Sequence, residues 1–115
     1  MNFAKIMKQK SNQFAKKVPT SVEQLVPNQR IKNLELVILR MYPTRMVVSE
    51  SYTGPVAAGC GRDHTGLVGM VFWNEQIQTF QVGDIVRIES GWCKLRNGHL
   101  VVSTGRTGKI VLVDR

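Results

Sequence analysis

Few side chains in this 115-residue chain have the types and spacing that chemistry needs. Cys60, Cys93, His64 and His99 could together supply four zinc ligands. Their spacing argues against it, because three residues separate Cys60 from His64, five separate Cys93 from His99, and no CxxC pair exists. Two cysteines are also too few for a disulfide scaffold. No metal and no other cofactor is therefore expected, and these four residues read as small strand positions and turn neighbours. Asp63 opens the segment Asp63-His64-Thr65-Gly66, where its carboxylate suits turn capping better than acid–base work. No Gly-x-Ser-x-Gly, P-loop or HExxH pattern is present, so no nucleophile and base can be paired and no enzyme is expected.

What remains is charge. Sixteen Lys and Arg face eight Asp and Glu, a net charge of +8. Residues 1–30 hold six of the cations, Lys5, Lys8, Lys10, Lys16, Lys17 and Arg30, against Glu23 alone. A cationic surface attracts polyanions, since each Lys or Arg that meets a phosphate releases condensed counterions. A solubilising excess of charge explains the composition equally well, so motifs must decide. No run of about 18 apolar residues is available to cross a membrane, and no membrane partner is expected. The acid-free stretch 1–17 reads as a basic arm. It lacks the Arg that organelle transit peptides favour, which leaves nuclear or cytoplasmic placement as the expectation and an organelle as the alternative.

The elements that must position these groups are strands. Ser21 with Gln24 three residues on resembles a capping box for one short turn, from which Val22 and Leu25 can plug the bottom of a core. Leu34 to Val48 predicts a long first strand with a bend at Pro43. Ser49 to Pro55 reads as a polar loop, and Val56 to Arg62 as a small-sided second strand. Asp63 to Gly66 predicts a tight turn with Gly66 at positive φ. In the third strand, Leu67 to Trp73, alternation sets Val68, Met70 and Phe72 on one face and Leu67, Gly69, Val71 and Trp73 on the other. Asn74 caps a short helix with Ile77 and Phe80 turned inward. The fourth strand runs Ile85 to Leu95 with a bulge at Gly91, and Asn97-Gly98 is a strong hairpin turn into the fifth strand, His99 to Thr104. Lys109 to Val113 is expected to close against the first strand. Five strands with a short helix between the third and fourth define an all-β class, the OB fold. It is a five-stranded Greek-key barrel that presents strands two and three and two loops to its ligand. The domain is expected over residues 18–115.

The segments KNLELVILR (32–40), DHTG followed by VFWNE (63–75), VGDIVRI (82–88) and GHLVVSTGRTGK (98–109) resemble the SOSS-B family of eukaryotic single-stranded DNA-binding proteins, which carry a single OB domain. Related archaeal and plant OB-domain nucleic-acid binders share much of this pattern. The resemblance covers roughly residues 18–111, and its most specific pieces are the DxTG turn and the final TGR. It implies aromatic side chains that stack on bases from the barrel surface, with Trp73 and Trp92 at two such positions. Each stacked base contributes about 1–3 kcal/mol whatever its identity. Core packing is the other fate open to both indoles. The positions of two further family aromatics hold Arg96 and Ser103; Arg can stack or pair with phosphate and Ser cannot, so a larger electrostatic share is expected.

Cations placed to track a phosphate backbone are Arg45, Arg62, Arg87, Lys94, Arg96 and Arg106, with Lys94 and Arg96 foremost because they flank the loop beside Trp92. Arg106 has bracing of its own turn as an alternative. The family's long polar C-terminal tail has no counterpart up to Arg115, so contacts made through such a tail are not expected. The functional expectation is non-catalytic binding of single-stranded DNA in repair or replication. Two alternatives stay open: an RNA-binding OB protein, and an OB module held by protein partners in a genome-maintenance complex. A monomer or weak homo-oligomer is expected.

Overall fold

In β1 (Gln29–Met41), Leu34, Leu36 and Ile38 are fully buried and the residues between them are not, the period of two that a strand with one face on a core requires. The computed structural model describes residues 20–115; the basic arm expected over 1–17 lies outside the described residues. The chain leaves β1 at Tyr42. Pro43 has no N–H to continue a ladder, and the next strand, β2 (Arg45–Val48), pairs with β3 (Thr53–Arg62) instead of prolonging β1. The single strand expected over 34–48 is thus two, and Thr53 to Pro55, read as loop, belongs to β3.

After β3 come β4 (Leu67–Trp73), a single helical turn α1 (Gln76–Thr79), β5 (Ile85–Arg96), β6 (His99–Ser103) and β7 (Lys109–Asp114). Asn97 at φ 52° and Gly98 at φ 82° make the β5–β6 hairpin turn as the sequence requires. Asn74 does not cap α1. It sits at φ 52°, Glu75 takes the cap position, and the Asn74 side chain turns toward Tyr52. Gly66 is not at positive φ either, because the Asp63 carboxylate closes that turn without it.

The strands close into a ring. β1 pairs with β5 along Gln29–Val37 and with β3 along Val37–Met41; β3 pairs with β4; β6 hairpins onto β5. A short parallel pairing, Gly69 opposite Val101 and Met70 opposite Val102, seals β4 to β6. This is the expected five-stranded OB barrel, with β2 and β7 as additions. β7 does not close on β1. At 12 residues β5 outruns β6, whose partners are Trp92 to Arg96, so the outer edge of Ile85 to Glu89 is open and β7 takes it. The barrel is filled by Leu34, Leu36, Ile38, Met70, Phe72, Val86, Ile88 and Val102, and Val22 from the 3-10 turn Val22–Gln24 plugs one end.

Alternation breaks near the end of β1 and in the middle of β5, and these breaks turn Arg40 and Trp92 outward. In β1 the inward residues step from Ile38 to Met41, with a register shift opposite β3, which carries Arg40 to the outside. In β5 the inward side steps from Ile88 to Gly91 and then Cys93, through Ser90 at φ 54°. The pairing with β1 keeps its register across this point, because β1 makes a matching step from Ile31 to Leu34. The break is therefore a shared bend at Ser90 and not a one-sided bulge at Gly91. Gly91 is needed for another reason: a Cβ there would lie 2.5 Å from the Ser103 carbonyl oxygen and would also collide with Ile88 Cγ2.

Two carboxylates tie the ends together. Asp63 Oδ1 accepts from Thr65 N (2.7 Å), Thr65 Oγ1 (2.6 Å) and Gly66 N (3.1 Å), and Oδ2 accepts from Val22 N (2.8 Å), which fixes the plug to the β3–β4 turn. Burial pushes this carboxyl up, but the Thr65 hydroxyl and three backbone N–H groups outweigh it and hold it below its ordinary range. Asp84 is fully buried and receives Arg115 Nε and Nη2, each at 3.0 Å, and Gln81 N at 3.0 Å. The Arg115 guanidinium, helped by that N–H, holds Asp84 below the usual carboxylate range against the cost of burial.

Two outcomes are expected. Gly91→Ala should lower stability by about 1–3 kcal/mol in urea unfolding, as overpacking against backbone does. Asp84, with its folded pKa depressed, contributes stability above its unfolded pKa of about 3.9 that is lost as pH falls through the lower folded value. Unfolding measured from pH 6 downward should therefore show less acid loss in Arg115→Gln than in the natural chain.

Candidate functional site

One outer face of the barrel is continuous from β5 through β6, β4 and β3 to β1. Directly paired residues share a face of a sheet. Lys94 pairs with Val101, Val101 with Gly69, Gly69 with Cys60 and Cys60 with Arg40. That row carries an exposed cation at each end and three small or medium side chains between. Beside it, Trp92 pairs with Ser103 on β6 and with Arg30 on β1, while Ala58 pairs with Val71. A further row runs Trp73, Val56, Arg45. The result is a floor of Gly69, Cys60, Ala58 and Val71, low enough for a planar ring to approach the backbone, bounded by Arg40, Arg45, Lys94 and Arg96. Among the described residues none of these four cations has an acidic partner within ion-pair distance.

The two indoles differ. Trp92 is 40% exposed on the outer face, as a stacking platform needs. Trp73 is only partly exposed. Tyr52, from the β2–β3 connection, packs edge-to-face on it with ring centroids 4.7 Å apart at 78°. Tyr52 is itself held, its hydroxyl 2.7 Å from the Pro55 carbonyl and 2.9 Å from Asn74 Oδ1. Gln76 braces Trp73 from the other side: its Oε1 accepts from Trp73 N (3.0 Å) and its Nε2 donates to Thr104 Oγ1 (3.1 Å). Of the two indoles expected to stack on bases, Trp92 stands exposed on the outer face, and Trp73 is half-buried with the Tyr52 ring packed against it. The Trp73 Nε1–H is buried and has no acceptor among the described residues. A cleft of about 570 Å³ opens beside this pair, lined by Tyr52, Trp73, Asn74, Gln76, Thr104 and Arg106.

The remaining predicted residues divide. Arg62 is exposed at the far end of β3, at the edge of the face. Arg106 reaches across to the Ser51 carbonyl (3.4 Å), bridging the β6–β7 and β2–β3 connections at the cleft. Ser103 lies opposite Trp92 across the β5–β6 pair and accepts from Gly105 N (3.2 Å). Arg87 does not belong to the site. It lies on the β1–β5–β7 side, where Nε donates to Glu89 at 2.7 Å and Nη1 stands 3.8 Å from Glu35, and Lys109 meets the same Glu89 at 3.4 Å. Arg87 and then Lys109 hold the Glu89 carboxyl below its ordinary range. A cation so engaged has little charge left for a phosphate.

Arg40, Tyr52, Gln76 and Thr104 join the site without having been singled out from the sequence. Strict alternation from Leu36 and Ile38 sends Arg40 into the core, where an unpaired guanidinium cannot stay; that conflict is the available signal for a bulge. Tyr52 carries no local signal. Among the described residues, no three His, Cys, Asp or Glu side chains come together as a metal site would need; Cys93 is buried, and burial pushes its thiol pKa up.

No protein-family model matches the chain. It is similar to the single-stranded DNA binding protein Ssb of Saccharolobus solfataricus, 24% identical over 89 residues, and the match takes in 77% of this chain and 60% of that relative. Among solved structures, the OB domain of Ta0387 from Thermoplasma acidophilum superposes with a TM-score of 0.70 at 21% identity, covering 84% of this chain and 87% of that one. The second OB-fold domain of replication protein A from Methanococcus maripaludis does so with 0.69 at 21% identity, covering 85% and 97%. The fold is thereby shown to be an OB fold.

The unequal burial of the indoles has a direct readout. Acrylamide should quench the fluorescence of the Trp73→Phe chain, which keeps Trp92, more strongly than that of Trp92→Phe, which keeps Trp73; equal quenching would contradict the Tyr52 cover.

Proposed function

We propose that this chain is a non-catalytic binder of single-stranded DNA that holds unpaired strands during repair or replication, in the manner implied by its resemblance to the SOSS-B family. The observation that carries the reading is the row Lys94, Val101, Gly69, Cys60, Arg40, with Trp92 exposed beside it. A single strand has flexible phosphates for the cations at the margins and unpaired bases for the low floor and the indole. A duplex buries its base faces and offers nothing to Trp92. The name of the archaeal relative supports the same ligand, as a single-stranded DNA-binding protein.

With only Trp92 fully available as a platform, phosphate contacts take the larger share of affinity. Titration of a labelled oligo(dT) at several salt concentrations should give a log–log slope near −0.7 per phosphate contacted, and Lys94→Ala should reduce that slope by about 0.7. Trp92→Ala should cost about 1–3 kcal/mol at any salt. Duplex DNA bound as tightly as the single strand would contradict the proposal, and a matched RNA oligomer that outcompetes DNA would transfer it to RNA.

A further inference from the structure

The indoles leave the outer face with an open ring at one margin only. Trp92 stands on β5, and the residue opposite it on β6 is Ser103, which cannot stack. The far margin, where β1 ends, carries Tyr42, an aromatic side chain outside the positions that the resemblance implies. Tyr42 N donates to the Ala58 carbonyl (2.8 Å), one step on from the Arg40–Cys60 and Met41–Gly59 pairs. Met41 packs inward on the core, so Arg40 and Tyr42 on either side of it face outward. Tyr42 is 50% exposed. Among the described residues its hydroxyl makes no hydrogen bond and its ring packs on no other aromatic ring, whereas Tyr52 is held by Pro55, Asn74 and the Trp73 ring.

A single exposed tyrosine needs no explanation by itself. The neighbours of Tyr42 supply one. Ala58 beside it is exposed and too small to cover the ring. The line from Tyr42 through Ala58 continues to Val71 on β4, and the Gly69–Val101 and Met70–Val102 pairs bring Ser103 next to Val71 at the following step. Ser103 pairs with Trp92, so the two rings close the same line from opposite margins. Neighbouring strands stand about 4.8 Å apart, and the four steps from β1 to β5 separate the rings by roughly 19 Å along the sheet. Arg40 and Arg45 pair with Cys60 and Val56, the residues two positions to either side of Ala58, so a cation flanks Tyr42 on each side of the face. Pro43 follows directly and restricts Tyr42 to extended backbone, which sets the direction of the ring before a ligand arrives.

We propose that Tyr42 is a second base-stacking platform, at the β1 margin, and that it holds one end of the bound strand while Trp92 holds the other. The inference rests on the strand-binding reading above and deepens it by adding the residue that grips the far end. The Tyr42 ring stacks on any base, because every base has a π face. Arg40 and Arg45 meet the phosphates on either side of that base. Ala58, Val71 and Ser103 between the two rings leave room for the bases that stack on neither. A strand long enough to reach both rings gains a stacked base that a shorter strand lacks, so affinity steps up at that length.

The test is fluorescence anisotropy of the full chain with labelled oligo(dT) in a length series up to about 16 nucleotides, the most that one OB fold holds. Tyr42→Ala should weaken binding of the longer oligomers about tenfold. It should weaken the shortest by about twofold at most, since these still settle on Trp92. The log–log salt slope should stay that of the natural chain in Tyr42→Ala, which removes a ring, and fall by about 0.7 in Arg40→Ala, which removes a phosphate contact. Tyr42→Phe should bind as the natural chain does, because the ring and not the hydroxyl stacks. Natural affinity of Tyr42→Ala at every length, with Trp92→Ala weakened, overturns the second platform and leaves strand binding intact. Equal loss in Tyr42→Phe and Tyr42→Ala overturns stacking as the role of Tyr42. Absence of binding by the natural chain to any oligomer removes the strand-binding reading and this inference with it.

Discussion

A strand can send only alternate side chains outward, and a closed barrel needs the rest for its core. The candidate site depends on how this chain escapes that constraint twice. The step from Ile38 to Met41 lets Arg40 out of β1, and the bend at Ser90 lets Trp92, Lys94 and Arg96 out of β5, where unbroken alternation from Val86 and Ile88 would have pointed them inward. β1 and β5 then lie at opposite margins of the same outer face, because the ring closes through β3, β4 and β6 between them. The low floor follows from the same geometry. Gly69, Ala58 and Cys60 occupy outward positions where larger side chains would fill the approach.

Charge is sorted by the fold more than by composition. Of the cations in the described barrel, Arg87 and Lys109 are drawn to Glu89 and Glu35 on the β1–β5–β7 side, and Arg115 is committed to Asp84. Arg40, Arg45, Lys94 and Arg96 have no such partner. Within a modest formal excess over residues 31–115, ten cations against seven acids, these four cations thus keep their charge uncompensated by acidic partners among the described residues. Burial is not what sets Arg87 and Lys109 apart from them, since both keep much of their side chain in solvent; their acidic partners do.

Much of the fold is legible in the sequence and rather less of the site. Val68, Met70 and Phe72 point inward as their alternation says, and the Asn97-Gly98 turn and the Asp63 cap need only local chemistry. The places that resist are those where a distant partner decides. Whether Arg45 continues β1 or starts a new hairpin depends on β3; whether β7 meets β1 or β5 depends on how far β5 outruns β6. Asn74 has a good capping side chain, but Tyr52, 22 residues earlier, claims it. Trp92 is turned outward by the bend at Ser90, which alternation from Val86 and Ile88 does not foretell. Trp73 lies on the face that alternation assigns it, but its cover comes from a connection with no periodic signal to read.

The central claim is that the outer face spanning β5, β6, β4, β3 and the end of β1 receives the strand. Backbone amide shifts mapped across the whole chain on saturation with a short oligo(dT) test it directly. The account predicts the largest changes at Cys60, Gly69, Trp92, Lys94, Val101 and Ser103, with Arg87, Lys109 and the β7 strand undisturbed. Changes concentrated on β7 and the Arg87 side, with the floor silent, would contradict it.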